Sequence, residues 1–339
     1  MLLSKAILRR FTPDAETMDR RLKARVSRSE FFALALSLSL VGCFIWVYTQ
    51  VKVPPNDYGV YLRTVAGDFR DYYYAYWLWP VFWLFEKLPL FVGYAIWSAV
   101  SIASVFFAGR VFGGRVALAL LSFQMLYVVY LGQIIGIIIG GLALCWWALA
   151  HKRWDLAGLG LILASTKIHT GATLGLLLLV LAPITWRQRL RVLLVPAVVV
   201  VLSLVVYPRW PLDALENLGT NPANDWGSIA LWRWIGPWAL LLWAPPLLLR
   251  LSPAKRLVAL TATMALALPY FQQTDLLALY VLPIGWFPVL LGNLGYLFFS
   301  IQWDALQMLF LVPLVVYLSL IIPETYKALR SKWRSASKD

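Results

Sequence analysis

The chain has 339 residues, of which 61% are hydrophobic and 14% charged, and it carries a formal net charge of +14. This composition, with a mean hydropathy of +0.73, excludes a soluble globular protein of ordinary make-up. In a bilayer, long apolar segments must be helical to satisfy their own backbone hydrogen bonds. We therefore predict an all-α polytopic membrane protein, resident in the cell membrane.

The positive charge does not indicate a nucleic-acid partner. Lys and Arg residues lie in loops and tails and are not interleaved with aromatic side chains on one soluble face. Basic segments of this kind are retained on the cytoplasmic side of a membrane. Cys43 and Cys145 both fall inside apolar spans, so the sequence indicates no disulfide framework.

The chain begins with a basic segment, residues 1–30, which we expect to be a cytoplasmic tail. The span Phe31–Gln50 then leads outward and places the loop 51–90 on the extracytoplasmic face. In that loop, Tyr76, Trp79 and Trp83 recur at helical spacing. This spacing predicts an aromatic stripe on a helix that lies in the membrane interface.

Alternation of apolar segments and basic loops predicts the remaining spans. They are Phe91–Ala108, Val116–Leu131, Ile134–Ala150, Arg191–Tyr207, Gly236–Leu249 and Leu257–Phe271. The segment Leu156–Pro183 is interrupted by polar residues around Lys167, which favours two short helices in a hairpin over one long helix. Gly132, Gly136 and Gly140 repeat every four residues, a spacing typical of closely packed membrane helices.

The end of the chain is ambiguous between two and three crossings. A second outer loop covers residues 208–235, and a basic tail covers 324–339. Because that tail is expected to be cytoplasmic, we interpret the apolar stretch Leu276–Ile322 as three short crossings. The total is about 12 transmembrane helices, with 10–12 as the range, in a domain covering 31–323.

Polar residues collect on one side of this predicted topology, at outer helix ends and in outer loops. They are Asp57, Asp68, Asp71, Gln133, Lys167, His169, Gln272, Gln273 and Asp275. Polar groups in such places are costly unless they line a cavity, so they indicate a functional site. A carboxylate beside a cation-lined cavity suits group transfer from a phosphate ester. The carboxylate takes the proton of an attacking hydroxyl, and the cation neutralises the departing phosphate.

Seven of these nine residues also have a structural interpretation that the sequence leaves open. The alternatives are a solvated or helix-capping Asp57, surface pairs of Asp68 and Asp71 with Arg70, a Lys167 that reaches to the interface, a His169 that bridges two helices, and hydrogen bonds of Gln133 and Asp275 that close turns.

The motif Asn56-Asp57-Tyr58-Gly59-Val60-Tyr61, directly after the first span, resembles the Asp-aromatic-x-aliphatic-Tyr motif of glycosyltransferase family 87, membrane enzymes of the GT-C fold. Gly132-Gln133, Lys167 with His169, and Gln273-Thr274-Asp275 resemble the later polar turns of that family, between about Phe31 and Pro283. The resemblance implies a GT-C-like bundle and inverting transfer of a sugar, usually mannose, from a polyprenyl phosphate to a lipid or glycan acceptor on the outer face.

By the same resemblance, Asp57 is the general base and Lys167 and His169 lie near the donor phosphate. Gln133, Asp68, Asp71, Gln273 and Asp275 are further candidates for substrate binding. Two departures stand out: Trp79-Pro80 replaces the Tyr-Pro-Pro that often ends the first loop, and Thr274-Asp275 replaces a frequent His-Asp, which removes a possible phosphate partner.

The alternative function is a transporter or flippase of a lipid-linked saccharide, which would share an aromatic cavity and basic groups. Expected partners are the polyprenyl-phosphate sugar, the acceptor and membrane lipid. No cofactor or metal site is predicted, because Asp57, Asp68 and Asp71 lack the spacing of an Asp-x-Asp site. Metal dependence is left open at this point.

Overall fold

The computed structural model describes residues 15–69, 72–220, 228–297 and 303–336. These residues form helices joined by short turns, and within these ranges the extended pairing is limited to an isolated bridge between Ser228 and Gln272. The prediction of an all-α fold is confirmed.

The α-helices are numbered along the chain. Their bounds are α1 Ala15–Lys23, α2 Arg28–Val51, α3 Asn56–Val65, α4 Trp79–Glu86, α5 Leu90–Phe112, α6 Val116–Leu120, α7 Phe123–Leu131, α8 Ile135–Ala150, α9 Trp154–Ala164, α10 Thr173–Leu181, α11 Trp186–Val206, α12 Trp210–Thr220, α13 Trp232–Ile235, α14 Ala244–Leu248, α15 Pro253–Ala267, α16 Leu277–Tyr280, α17 Trp286–Gly292 and α18 Leu311–Ala336. Short 3-10 helices lie at Tyr76–Leu78, Gly236–Trp243, Gln273–Leu276 and Trp303–Phe310, and a π-helical turn lies at Ile168–Ala172.

Four helical segments are long and apolar enough to cross a membrane. They are α2, α5, α11 and Leu306–Arg330. The pair α7 and α8, bent by 116° at its break, gives a fifth if it is counted as one span. These helices indicate a membrane protein, but the described part of the chain does not confirm about twelve crossings.

The helices fall short of that number because several predicted spans are broken. The predicted span Val116–Leu131 divides at Ser122, whose hydroxyl caps α7 by accepting a hydrogen bond from the amide of Met125 at 3.1 Å. Near the end of the chain, α16 and α17 have only 4 and 7 residues, whereas a span needs about 20. The interpretation of Leu276–Ile322 as three short crossings is therefore not confirmed: among the described residues, two short α-helices precede one of span length.

The predicted interruption between Leu156 and Pro183 is confirmed. Helix α9 ends at Ala164, and the chain resumes helical structure at Ile168. A Cβ added at Gly171 would overlap the carbonyl oxygen of Ala164, and one added at Gly175 would contact Leu161. The later glycine therefore contacts the earlier residue of α9, as in an antiparallel hairpin.

Small residues hold α8 close to α5, as their spacing predicts. A Cβ added at Gly136 would lie 2.6 Å from the Cβ of Ser101, and one added at Gly140 would lie 2.7 Å from the hydroxyl of Ser104. Any larger side chain at either glycine would push the two helices apart.

The aromatic stripe does not form as predicted. Pro80 stands in the first turn of α4, a position where its missing amide hydrogen costs nothing, so α4 begins at Trp79. Tyr76 lies before that helix, buried in a stack with Phe69 and Trp210, whereas Trp83 on α4 is 45% exposed. These aromatic rings therefore do not share one face.

Charged groups separate to the two ends of the helices. Glu30 at the start of α2 pairs with Arg110 at the end of α5 at 2.7 Å, which makes the two helices antiparallel. His151, after the end of α8, lies 3.0 Å from Asp19. Asp57 follows the other end of α2, and Gln133 precedes the other end of α8. The candidate site therefore lies at the opposite end of the helices.

Candidate functional site

The candidate site forms where breaks in the helical framework meet the first turn of α3. One break is Gly132–Gln133 between α7 and α8, and a second lies between α9 and the π-helical turn and carries Lys167. The third is the 3-10 turn Gln273–Leu276, which carries Asp275. Residues far apart in the sequence meet here because the helices that carry them are interrupted at these turns.

Asp57 is held by two amide side chains. It lies in the first turn of α3, and its side chain is partly buried. The amide of Gln133 donates to Oδ2, and the amide of Asn56 donates to Oδ1 at 3.1 Å. Gly132 makes this contact possible, because its φ of +70° favours glycine and a Cβ there would lie 2.6 Å from the Cβ of Tyr58.

Burial makes Asp57 a weak acid. Removal from water raises the pKa of the Asp57 carboxyl to about 7, against the opposing effects of the Lys167 charge and the Asn56 hydrogen bond. The influence of Lys167 on this pKa places the two groups within electrostatic reach of each other. Near neutral pH, Asp57 therefore exchanges between its protonated form and the ionised form that accepts a proton.

Lys167 and Asp275 form a buried ion pair. The Lys167 Nζ lies 2.6 Å from Asp275 Oδ1 and also donates to Gln272 Oε1 at 3.0 Å. The other oxygen of Asp275 accepts from the hydroxyl of Thr170 at 3.1 Å. Burial raises the pKa of Asp275, but the ammonium of Lys167, helped by His169, outweighs burial and holds that pKa well below its usual range.

His169 lies beside this pair. Its Nε2 is 3.7 Å from Asp275 Oδ2, which is too long for a hydrogen bond, and the same nitrogen is buried with no hydrogen-bond partner among the described residues. The imidazole packs edge to face against Tyr270 at 5.3 Å. The hydrogen-bonding capacity of this nitrogen is therefore unused among the described residues.

The structure brings Asp57 together with Gln133, and Lys167 together with His169 and Asp275. The sequence predicted that these residues lie on one side of the membrane but not which of them pair. Gln273 is buried in the same 3-10 turn as Asp275. Asp68 is partly exposed, and its Oδ2 lies 3.9 Å from Arg63 Nε, a partner other than the Arg70 that the sequence suggested. Asp71 and Arg70 lie outside the described residues.

Two members of the site were missed from the sequence. Thr170 donates to Asp275 of the buried ion pair, and the hydroxyl of Tyr74 lies 3.5 Å from Gln133 Oε1. Gln272, which the sequence placed in the polar cluster without a role, accepts from Lys167. Thr170 follows Lys167 by three residues, a spacing that places both on one side of a helical turn. Tyr74 stands in a run of three tyrosines, and nothing in the sequence distinguishes it from its neighbours.

In the described ranges, no three His, Cys, Asp or Glu side chains come together in a way that could hold a metal ion. Comparison with protein-family models, with curated proteins and with solved structures finds no match to the chain. The resemblance to glycosyltransferase family 87 therefore stays a prediction that depends on the short motifs alone.

Proposed function

We propose that the protein is an integral-membrane inverting glycosyltransferase of the GT-C type. It transfers a sugar, mannose by the family resemblance, from a polyprenyl-phosphate donor to a lipid or glycan acceptor on the extracytoplasmic face. One observation carries the proposal: Asp57, whose pKa is near neutrality, lies within electrostatic reach of a buried ammonium group. A base and a phosphate-neutralising cation are the two groups that this reaction requires.

In the proposed reaction, ionised Asp57 takes the proton of the acceptor hydroxyl as its oxygen attacks the anomeric carbon. The bond from that carbon to the phosphate oxygen breaks, and the polyprenyl phosphate leaves with the electron pair. Lys167 and the unpartnered Nε2 of His169 stabilise the negative charge. Phosphate leaves without being protonated, so one carboxylate is enough, unlike the pair that glycoside hydrolysis usually needs.

An apolar cavity supports a lipid-linked donor. It has a volume of about 280 Å³ and lies between the start of α4 and the end of α11, lined by Tyr76, Trp77, Trp79, Pro80, Val199, Leu202, Ser203, Val206 and Tyr207. Within helix α11, only Val192 is buried. The indole of Trp77 donates to the hydroxyl of Thr166 at 3.2 Å, next to Lys167. An apolar chain in this cavity would therefore carry its phosphate toward Lys167.

The proposal is tested with the purified protein in lipid, given labelled polyprenyl-phosphate mannose and candidate acceptors. We expect Asp57→Asn to lower the rate of transfer by about 10²–10⁴-fold while donor binding is retained. Asp155→Asn is the matched control, because Asp155 is exposed in the first turn of α9, at the other end of that helix from Lys167. A stable Asp57→Asn protein that binds donor and transfers sugar at the normal rate would show that Asp57 is not the base.

A transporter of a lipid-linked saccharide is the second candidate. It is favoured by the broken helices at the site: α7 and α8 meet at 116°, and α9 is separated from α10 by a π-helical turn. Transporters often bind their substrates at such discontinuous helices. Movement of labelled lipid across vesicles without any new glycosidic bond would support this candidate over the enzyme.

We also propose that the shorter helices complete a GT-C-like bundle of 10–12 crossings, with both termini cytoplasmic. Single cysteines introduced at exposed Asn56 and exposed Arg153 test the orientation, after Cys43 and Cys145 are replaced. We expect a membrane-impermeant thiol reagent to label Asn56→Cys from outside and Arg153→Cys only after the membrane is opened. Labelling of both from one side would contradict the topology.

A further inference from the structure

Two hydrogen bonds in sequence lead from the hydroxyl of Tyr74 to Asp57. The ring of Tyr74 packs edge to face against that of Tyr61 at 5.6 Å, and the hydroxyl oxygen of Tyr61 accepts from the amide of Ile134 at 3.1 Å. The hydroxyl of Tyr74 donates to Gln133 Oε1 over a long 3.5 Å, and Gln133 Nε2 donates to Asp57 Oδ2. All the links are buried or partly buried.

The chain has one direction. An amide carbonyl oxygen only accepts, so Tyr74 directs its proton at the carbonyl oxygen of Gln133. With that oxygen engaged, the NH₂ group of Gln133 faces Asp57. An NH₂ group in this orientation binds a carboxylate and not the O–H of a carboxylic acid, so the arrangement favours the ionised form of Asp57.

We propose that Gln133 and Tyr74 are positioning residues that keep Asp57 ionised and ready to accept a proton, and that Gln133 is not a sugar-binding residue. Gln133 acts on the carboxylate directly, and Tyr74 acts by fixing the orientation of the Gln133 amide. This inference rests on the proposed function for one point only, the role of Asp57 as the general base. The ionisation of Asp57 is measurable without any transfer reaction.

Other groups face Asp57, and the test leaves them unchanged. Among the described residues, the ammonium of Lys167 is the charged group that lowers the pKa of Asp57, and it is itself paired with Asp275. The remainder are the amide of Asn56 and the hydroxyls of tyrosines from several elements, Tyr48, Tyr61, Tyr127 and Tyr270. Tyrosine hydroxyls carry no charge near neutral pH. A shift that follows a change at Gln133 or Tyr74 therefore reports the hydrogen-bond chain.

The first measurement is the pH dependence of kcat/KM, which reports the ionisation of the free enzyme. We expect Gln133→Leu to move the acid limb upward by about one pH unit, with most of the activity recovered at higher pH. Tyr74→Phe should move it in the same direction by less, since the amide keeps its donor but loses its fixed orientation. A merely structural role would lower activity equally at every pH.

Tyr72→Phe is the matched control. Tyr72 stands two residues before Tyr74 in the same buried run, but its hydroxyl donates to the carbonyl oxygen of Ala75 at 3.0 Å. We expect this variant to leave the acid limb where it is in the unaltered protein. An equal upward shift in Tyr72→Phe and Tyr74→Phe would overturn the proposal, because it would show a general effect of hydroxyl loss in this loop.

The second measurement is infrared difference spectroscopy across a pH series. The protonated-carboxyl band that disappears in Asp57→Asn belongs to Asp57, and its midpoint gives the ionisation directly. We expect the midpoint to rise in Gln133→Leu and Tyr74→Phe and to stay constant in Tyr72→Phe. Shifts of this kind in a protein that transfers no sugar would overturn the proposed function but support the chain. Midpoints that stay unshifted in folded Tyr74→Phe and Gln133→Leu would overturn the proposed roles of Tyr74 and Gln133. If Gln133→Leu does not fold, the result for Tyr74→Phe decides.

Discussion

The buried ion pair of Lys167 and Asp275 gives the sharpest test of the structure. Its side chains are 4% and 0% exposed, and Asp275 also accepts hydrogen bonds from Thr170 and from the backbone amide of Gln272. The change Asp275→Asn keeps the size of the side chain and removes its charge. It leaves the ammonium of Lys167 buried, with Gln272 Oε1 as its remaining strong acceptor.

Loss of one member of a buried ion pair costs about 3–5 kcal/mol, because the other charge is left uncompensated. We expect Asp275→Asn to lower the free energy of unfolding by an amount in this range. The double change Asp275→Leu with Lys167→Met should cost less than the sum of its single changes, since it leaves no unpaired charge. The low pKa of Asp275 means that the pair is fully formed above about pH 4 and is lost as pH falls further.

Unfolding in mixed micelles with increasing denaturing detergent, followed by Trp fluorescence, measures these differences. The control is Glu324→Gln, which removes a pair with Lys255 at 2.8 Å in which the lysine is 48% exposed. An exposed pair contributes about 0–1 kcal/mol. Equal and small effects of Asp275→Asn and Glu324→Gln would refute the conclusion that Lys167 is held in a closed, water-poor site.

Three further predictions follow from the site and its framework. Burial of Asp57 raises its pKa to about 7, so kcat/KM for sugar transfer should fall tenfold per pH unit below about pH 7, where the base is protonated; a flat profile between pH 5 and 7 would contradict this. Lys167→Ala should raise KM for the donor by on the order of 100-fold and KM for the acceptor far less, because one cation–phosphate contact is worth a few kcal/mol; equal increases would argue against phosphate contact. Gly171→Ala should destabilise the protein by about 1–3 kcal/mol, since its Cβ would overlap the Ala164 carbonyl, whereas Gly42→Ala, which meets nothing within 4 Å, should leave the thermal midpoint unchanged or raise it.

Local patterns in the sequence predicted local structure well. The helical interruption before Lys167 followed from polar residues in an apolar run, and the close packing of α8 on α5 followed from the spacing of Gly136 and Gly140. These features depend on residues that are near each other in the chain, so the local sequence pattern is enough to predict them.

Contacts between distant segments were not readable in the same way. Lys167 and Asp275 are 108 residues apart, and nothing in either neighbourhood specifies that they pair. The predicted number of crossings was not confirmed, for another reason. Hydropathy records how apolar a segment is, whereas Ser122 and Gly132 decide where its helix stops. The functional distinction between Tyr72 and Tyr74 arises only from which neighbour each hydroxyl reaches.

The guanidinium of Arg110 fixes the position of the segment that joins α1 to α2. It donates to the carbonyl oxygens of Arg21 and Ala24 and to the carboxylate of Glu30, so the turn between α1 and α2 is tied to the end of α5. A shortened protein that starts at residue 31 would strand this buried cation without acceptors, while one that starts at residue 15 would keep them all. Purification tags and fusion partners therefore belong ahead of α1, where they leave this anchor whole.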